Sequence, residues 1–352
     1  MTYKKYKQGN YKEKQKDTMD ELFKKIKEGV RAVYSSDKWK KHLETISKFH
    51  NYSHKNILLI ELQNPDASLV AGYKKWQTEF ERQVKKGEKA IKILMPIKVK
   101  KELTKLDEKG NPLKDKDGNI EKEEKSFLRF KYVNVFDISQ TEGKELDIFK
   151  VNELDSSVDN KDNILKSIKS IAHENGCDFK FGDTGTAKGY YSRAKEEIVI
   201  KENMSDLQTL KTAVHELAHS LIHNPTKNPD LSLDDIANRS KKEIEAESVA
   251  YVVLSHLGLD TSNYSFEYIA GWGSSKSEDE LSSVLENIKD TSSSIIDKIE
   301  ENLEQEKHLN LQTCKQTNIK KTSLKDIIKV AKSKEIEPVT RNKPIRSREI
   351  EI

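Results

Sequence analysis

The sequence predicts an α+β protein with two domains and a flexible basic tail. Apolar residues recur at helical spacing early in the chain, and two later segments alternate between apolar and polar residues as β-strands do. A second set of strands then leads into a helix that carries polar residues within an apolar stretch. A chain of 352 residues with a mean hydropathy of −0.81 suits small cores with long charged surfaces. We place the domains at residues 1–150 and 151–305 and the tail at 306–352.

Each element of the first domain follows from a local pattern. Its helices are predicted because apolar residues lie three or four positions apart, and the second helix ends before Pro65, which cannot continue it. Its strands are separated by a segment of charged and turn residues, which we expect to be an exposed hairpin excursion or a disordered loop. In chain order, the predicted elements are helices within 18–47 and at 55–64 and strands at 89–99 and 127–136.

A polar segment rich in Asp, Ser and Asn, residues 150–163, is the predicted linker to the second domain. Residues 278–304 predict an acidic amphipathic helix, or a pair of helices broken near the TSSS segment. The tail has one possible helix and otherwise no apolar period, so we expect it to be flexible. The remaining predicted elements are a helix at 164–174, strands at 178–181 and 197–200, and a tail helix at 323–333.

Charge divides the chain more sharply than its net charge of +4 suggests. Residues 1–100 carry 24 Lys and Arg against 12 Asp and Glu, whereas residues 151–305 carry 16 against 29. The tail is basic again, with 12 against 6. A basic front and an acidic second domain imply different partners for each.

Composition also excludes some classes of protein. There is no run of about 18 apolar residues, so we expect no membrane span. The N-terminal segment lacks the apolar stretch of a secretory signal. Cys177 and Cys314 lie far apart in unlike contexts, which makes a structural disulfide improbable and favours a cytoplasmic location.

The stretch TAVHELAHSLIH, residues 212–223, places two His and a Glu in an otherwise apolar helix. His215 and His219 are four residues apart, so both imidazoles lie on one face and can bind one metal ion. Glu216 follows the first His, where a carboxylate can take a proton from a metal-bound water. His223 lies one turn further on, too far along the axis to share an ion with His215, so we interpret it as a residue that supports the metal site or as a surface histidine. The alternative is an ordinary helix, because so short a pattern also arises by chance.

A catalytic zinc ion needs a third protein ligand, and the segment KEIEAESVA at residues 242–250 offers three glutamates. Glu243 and Glu247 share a helix face, while Glu245 points elsewhere. We assign Glu243 as the metal ligand and Glu247 as the carboxylate that orients a ligand His through its other ring nitrogen. Exchange of these two roles is the nearest alternative, and Glu245 as ligand comes third. Acidic residues at a helix start are also ordinary partners of the helix dipole.

HELAH followed by EIEAESVAYVV resembles the zinc metallopeptidase domain of the ImmA/IrrE type, in the variety fused to ArdC-like antirestriction proteins. The segment from GYYSRAK to HELAHSLIH is similar to that variety throughout. The resemblance implies a zincin-like metallopeptidase domain that binds Zn²⁺ through His215, His219 and Glu243, with Glu216 as catalytic base. Glu247 departs from many ImmA-type relatives, which carry Asn or Asp there, and a longer side chain could alter which glutamate binds the metal.

Lysines and aromatic residues are interleaved in the first domain, in the segment GYKKWQTEFERQVKKGEKAI. A cationic groove follows a phosphate backbone, and exposed aromatic rings stack on unpaired bases. Gly87 allows a turn whose backbone can approach a phosphate closely. We predict backbone contacts from Lys85, Lys86 and Lys89 and stacking by two tyrosines, Tyr52 and Tyr73. Solvated surface lysines and buried aromatic residues are the alternative.

This segment, with its NPDA turn before it and FDISQT after it, resembles the N-terminal domain of ArdC-like proteins. That domain is implicated in binding single-stranded DNA. The two resemblances agree in order and cover roughly residues 18–305. They imply an ArdC-like, single-stranded DNA-binding domain followed by a zinc metallopeptidase, in a protein of a mobile or conjugative element that protects entering DNA. The alternatives are a DNA-binding protein whose zinc site is structural without turnover, and a regulatory protease that cleaves a repressor-like protein.

Overall fold

The computed structural model describes residues 2–105, 107, 111–114, 118–146, 161–229 and 238–332. It forms one compact unit up to Ile299 and a second from Glu300 onward. The predicted α+β architecture is confirmed. Residues 150–160 of the predicted linker and the end of the tail lie outside the described residues, whereas residues 161–163 of that linker begin the helix Lys161–Glu174.

The N-terminal part places helices on a strongly extended β-ribbon. Its helices are α1 Thr2–Val33, α2 Ser36–Phe49, α3 His54–Gln63 and α4 Tyr73–Thr78. Its strands are β1 Val70–Gly72, β2 Arg82–Val84, β3 Ile91–Thr104, β4 Lys122–Asp137 and β5 Thr141–Gly143. Strand β4 lies between β1 and β3 and pairs antiparallel with both, while β2 pairs with β5. The two long strands extend several residues beyond the predicted ones on the hairpin side.

Side chains of α3 cover the edge of β3 that faces away from β4, near the start of the strand. Asn56 donates its amide to the Leu94 carbonyl oxygen and accepts the Leu94 backbone N–H, at 2.9 and 2.8 Å. Gln63 makes the same pair of contacts with the backbone of Lys92. These amides therefore replace the missing neighbouring strand. Pro96 follows, and its lack of a backbone N–H suits an open edge.

Asp137 explains much of the local order where β4 ends. Its buried carboxylate accepts the backbone N–H groups of Ser68 and Leu69 and also caps the 3₁₀ turn Ile138–Gln140. Gln140 in turn donates to the Lys89 carbonyl oxygen at 2.8 Å. The FDISQT segment thus holds together the loop before β1 and the turn around Gly87.

The C-terminal part contains a three-stranded sheet under two helices. Strand β8 is central, parallel to β6 and antiparallel to β7. The elements are α5 Lys161–Glu174, β6 Asp178–Gly182, β7 Gly189–Ser192, β8 Glu197–Lys201, α6 Asp206–Ile222, α7 Arg239–His256, α8 Ile269–Gly273 and α9 Glu278–Lys332. The sequence patterns did not predict β7, which lies at the edge of the sheet.

Helix α9 is continuous through the TSSS segment, so the predicted alternative of two broken helices is wrong. Ser292 is fully buried, and Ser293 donates from Oγ to the His50 carbonyl oxygen at 2.6 Å. Tertiary packing therefore outweighs the weak helix propensity of serine. The helix continues to Lys332, across a segment for which the sequence predicts only one possible helix, at 323–333.

Helices α2 and α7 pack against each other, which joins the two predicted domains within the first compact unit. Trp39 is fully buried and donates from Nε1 to Ser248 Oγ at 3.2 Å. Tyr251 donates to Glu44 at 3.0 Å, and His256 Nδ1 lies 2.8 Å from the Ser47 carbonyl oxygen. Helix α7 also carries Glu243, the predicted metal ligand. The contacts with α2 therefore help to hold the candidate site in position.

Among the helices that the structure describes, none combines the length and apolar character needed to cross a membrane.

Candidate functional site

Helix α6 presents the HELAH residues from a buried support. Ser205 caps its first turn by accepting the Gln208 backbone N–H. Six apolar residues of the helix are buried (Leu210, Ala213, Val214, Leu217, Ala218 and Ile222), and one polar face is directed toward a cavity. On that face His215 and His219 lie one turn apart, with their Nε2 atoms 3.1 Å from each other. The spacing predicted from the sequence is therefore present as a convergent pair.

Helix α7 adds a carboxylate to this pair. Glu243 Oε2 lies 3.4 Å from His215 Nε2 and 3.8 Å from His219 Nε2. Tetrahedral zinc with bonds of about 2.0–2.1 Å would separate its ligand atoms by about 3.3 Å. The three observed separations bracket that value. The three side chains therefore fit a single divalent metal ion.

The proton positions on the imidazoles give a second reason for a cation. His219 Nδ1 lies 2.9 Å from His223 Nδ1, and His223 Nε2 lies 2.9 Å from Glu245 Oε2. A carboxylate accepts, so His223 donates from Nε2 and accepts at Nδ1 from the Nδ1–H of His219. The Nε2 lone pair of His219 then faces His215 Nε2 and the Glu243 carboxylate. A metal ion satisfies these facing electron donors together.

Electrostatics at the three side chains agrees with this arrangement. Hydrogen bonds from His215 and His219 hold the pKa of Glu243 well below its usual range. Burial lowers the pKa of His215, but contacts with Glu243 and Glu247 outweigh it and raise the pKa to about 9. Burial is the main cause of a lowered pKa at His219. The cluster thus attracts positive charge, and a metal ion competes with protons for it.

Glu247 lies where the sequence placed it, on the far side of His215. Its Oε2 is 3.3 Å from His215 Nδ1, an ion-pair contact that falls short of hydrogen-bond alignment. Lys211 holds the same carboxylate at 2.9 Å. The Lys211 ammonium group also lies 3.5 Å from the ring centre of Tyr264. Glu247 is therefore held between Lys211 and the Nδ1 side of the His215 imidazole, away from the two Nε2 atoms.

Glu216 is buried beside the imidazole pair and opens to the same cavity. Burial raises the pKa of its carboxyl group. The backbone N–H of Tyr191, on edge strand β7, donates to its carboxylate. The cavity has a volume of about 710 Å³ and is lined by His215, Glu216, His219 and Glu243 together with residues of β7. The Glu216 carboxylate is thereby positioned beside the candidate metal ligands by two separate elements, α6 and β7.

A buried relay lies behind His219, in which His223 has the supporting position that the sequence offered as one of two alternatives, while the contributions of Glu245 and Asn287 were not predicted. Glu245 is 1% exposed; one of its oxygens accepts from His223 and the other accepts from Asn287 Nδ2 at 2.8 Å. Asn287 lies on α9, far away in sequence, so its contribution could not be read from local patterns. The relay Glu245–His223 fixes the proton of His219 on Nδ1 and leaves Nε2 available for a metal.

We expect Glu245→Gln to weaken metal binding by about tenfold, the lower end of the effect of removing such outer partners. Both carboxylate oxygens accept hydrogen bonds, and an amide can accept at only one of them. The affinity of the full chain can be measured by competition with a chelating dye, with the exposed Glu267→Gln as matched control. Equal affinity in the variant and the wild type would contradict the role of the relay.

The predicted DNA-contacting residues lie in the N-terminal part, in two kinds of environment. Lys85, Lys86 and Lys89 are exposed around Gly87, whose φ of 92° requires a residue without a side chain. Tyr73 is 45% exposed. Tyr52 is half-buried and donates to the Val70 carbonyl oxygen at 3.0 Å. This placement disfavours the predicted stacking role of Tyr52.

Comparison with known proteins adds two family matches in chain order. Residues 12–136 match the N-terminal domain of the anti-restriction factor ArdC, and residues 173–257 match the IrrE N-terminal-like domain of peptidase family M78. An uncharacterized protein of Bacillus anthracis is 28% identical in an alignment of 333 positions that covers 86% of this chain and 55% of that protein. The chain thus spans about half the length of this curated relative.

Two solved structures of the antirestriction protein ArdC from plasmid R388 are also similar. The metal-free structure has a TM-score of 0.45 and 18% identity, over 71% of this chain and 85% of that one. The Mn(II)-bound structure has a TM-score of 0.42 and 16% identity, over 71% and 84%. The two family matches lie in the order that the sequence predicts, an ArdC-type N-terminal domain followed by an IrrE-like domain of the M78 peptidases.

Proposed function

We propose that this chain is a single-stranded DNA-binding antirestriction-type protein of a mobile element that also carries a zinc-dependent peptidase. The observation that supports the peptidase most strongly is the convergence of three metal-binding atoms beside a buried glutamate. In this proposal His215, His219 and Glu243 hold the metal, Glu247 orients His215, and Glu216 is the catalytic base. Two imidazoles and one carboxylate suit zinc better than magnesium or calcium, which prefer oxygen ligands alone.

The chemistry that zinc supplies when bound is polarisation of the scissile carbonyl and a lowered pKa of a water. Glu216 takes the proton of that water and later gives it to the leaving amine. The Tyr191 backbone N–H keeps the Glu216 carboxylate in place. Burial raises the pKa of Glu216, which makes Glu216 a better proton acceptor than an ordinary surface carboxylate. His223 and Glu245 take no part in the proton transfer and orient His219 only.

The cavity and the edge strand set where a peptide could lie. Strand β7 pairs with β8 on one side only within the described sheet, so its other edge is open to a further strand. An extended peptide bound there would pass beside Glu216.

Metal analysis of the purified chain by mass spectrometry tests the proposed zinc site, and we expect about one zinc per chain.

Single-stranded DNA binding is the second part of the proposal, and the Gly87 turn supports it. Three exposed lysines flank a glycine whose backbone has no heavy atom close to the position of a Cβ. A phosphate can therefore approach the backbone closely. Lys85 already donates to the Ser139 carbonyl oxygen at 3.0 Å, whereas Lys86 and Lys89 make no such contact in the described part of the chain. We therefore expect Lys86 and Lys89 to contribute most.

Replacing Lys85, Lys86 and Lys89 together by Ala should weaken binding of a labelled oligothymidylate. Each phosphate contact on a single strand contributes roughly 0.7 to the log–log salt slope, so the slope should flatten by up to about two. Fluorescence anisotropy of the full chain at several salt concentrations measures both quantities. A variant with three lysines of α2 changed to Ala (Lys38, Lys41 and Lys48) removes the same charge elsewhere.

Wild-type protein should bind the single strand more tightly than a duplex of equal length, because only unpaired bases offer their faces for stacking. Equal affinity for the two, or an unchanged salt slope in the triple variant of the Gly87 turn, would refute this assignment.

A further inference from the structure

We propose that the middle of the β3–β4 ribbon is a binding surface for single-stranded nucleic acid, on which exposed aromatic rings stack against bases. We define the ribbon section as residues 95–101 of β3 and 125–132 of β4. This inference rests on the DNA-binding function proposed above. It adds to the lysines around Gly87 a second surface that nucleic acid would contact.

The ribbon section extends beyond the part of the sheet that other elements cover. Strands β3 and β4 pair continuously from Ile91↔Val135 to Thr104↔Lys122. Strand β1 pairs with β4 only as far as Val135, and the α3 amides reach β3 only as far as Leu94. Beyond these residues both edges of the ribbon are open within the described chain.

Large apolar side chains stand exposed on this section. Leu128 is 62% exposed, Phe130 47%, Phe127 40% and Met95 37%. Adjacent apolar residues at such exposure usually mark a surface that binds something. Phe127 and Phe130 lie on opposite faces of β4, because successive side chains alternate. Both faces therefore offer an aromatic ring.

The charges of the ribbon section indicate which kind of partner binds there. The ribbon section holds six Lys and Arg and no Asp or Glu. Lys100 and Lys125 pair with Glu124 and Glu123. The side chains of the other four (Lys98, Lys101, Arg129 and Lys131) form no ion pair or hydrogen bond within the described part of the chain. Aromatic rings beside four unpaired cations suit a strand of phosphates with unstacked bases.

The section is also continuous with the Gly87 turn. That turn runs directly into β3, and Gln140 fastens it to the end of β4 through the backbone of Lys85 and Lys89. Lys92 follows, with its ammonium group 5.5 Å from the ring centre of Tyr132. A basic track thus runs from the turn along the ribbon, and one strand of nucleic acid could follow it.

The test is the binding of labelled oligothymidylate to the full chain with Phe127→Leu and Phe130→Leu combined. Leucine keeps an apolar side chain and removes only the aromatic face, so we expect affinity to fall about tenfold or more. The pair Arg129→Gln and Lys131→Gln should flatten the salt slope by about 1.4, from roughly 0.7 for each charge. Lys38→Gln with Lys48→Gln is the matched control on α2. A third variant, Phe130→Trp, should bind and show quenched tryptophan fluorescence.

The outcomes separate this inference from the function on which it rests. Weaker binding by the leucine variant, a flatter slope for the charge pair and quenching at position 130 together support the ribbon. If wild-type protein binds the oligonucleotide but all ribbon variants bind equally well, the ribbon is not the surface and the DNA-binding proposal stands. If wild-type protein binds no oligonucleotide, both proposals fail.

Discussion

His219→Ala is expected to strip the chain of its metal ion. The substitution removes the Nε2 atom that lies 3.1 Å from His215 Nε2 and 3.8 Å from the Glu243 carboxylate. Two ligands and water cannot replace the three protein ligands of a catalytic zinc site, and metal content should fall from about one equivalent to near zero. Mass spectrometry after dialysis measures this directly.

His173→Ala is the matched control for this variant. His173 lies on α5 with 61% of its side chain exposed, so its loss removes an imidazole without touching the cluster. We expect that variant to keep its metal. Full retention of metal in His219→Ala would show that the cluster is not the metal site.

The pairing of His215 with His219 could be predicted from the sequence because helix periodicity is a local property. Four-residue spacing on α6 is enough to bring two imidazoles together, whatever packs around them. Which of the three glutamates on α7 binds the metal could not be predicted in this way, because it depends on tertiary packing. Periodicity separated Glu245 from the other two, yet only the packing of α7 against α6 and α2 determines which carboxylate reaches the Nε2 pair. The role of Glu245 needed Asn287 as well.

Other features escaped the sequence for related physical reasons. Strand β7 is only four residues long, and its GYYS segment carries turn-forming residues, so no alternation could be detected. Continuity of α9 through TSSS depends on burial of Ser292 and Ser293, which outweighs propensity. An aromatic residue in a basic segment can be exposed or buried. Tyr52 and Tyr73 differ in this respect because one of them packs beside β1.

The length of the ribbon is a further instance. Alternation in 89–99 and 127–136 predicted the ribbon as far as Val99 and Phe127, which pair with each other. The remaining residues, 100–104 and 122–126, are mostly charged, so they show no contrast between apolar and polar positions. Exposure of the aromatic and basic residues of 95–101 and 125–132, from which the binding surface is inferred, depends on tertiary packing and could not be read from the alternation.

Glu216→Gln is expected to abolish peptide hydrolysis and to leave metal content unchanged. Glu216 does not contribute to the ligand cluster formed by His215, His219 and Glu243. An amide of the same shape can still accept the Tyr191 backbone N–H, so the helix and β7 should keep their positions. The amide cannot accept a proton from water. Loss of a general base usually costs about 10²–10⁴-fold in rate, and we expect a decrease in that range.

The measurement is cleavage of a mixture of unstructured peptides by the metal-loaded full chain, followed by mass spectrometry. Glu202→Gln makes the same chemical change on an exposed residue after β8 and should cleave at the wild-type rate. Undiminished cleavage by Glu216→Gln would remove Glu216 from the mechanism. Loss of metal from that variant would instead make Glu216 part of the metal site, and the proposed separation between ligands and base would be wrong.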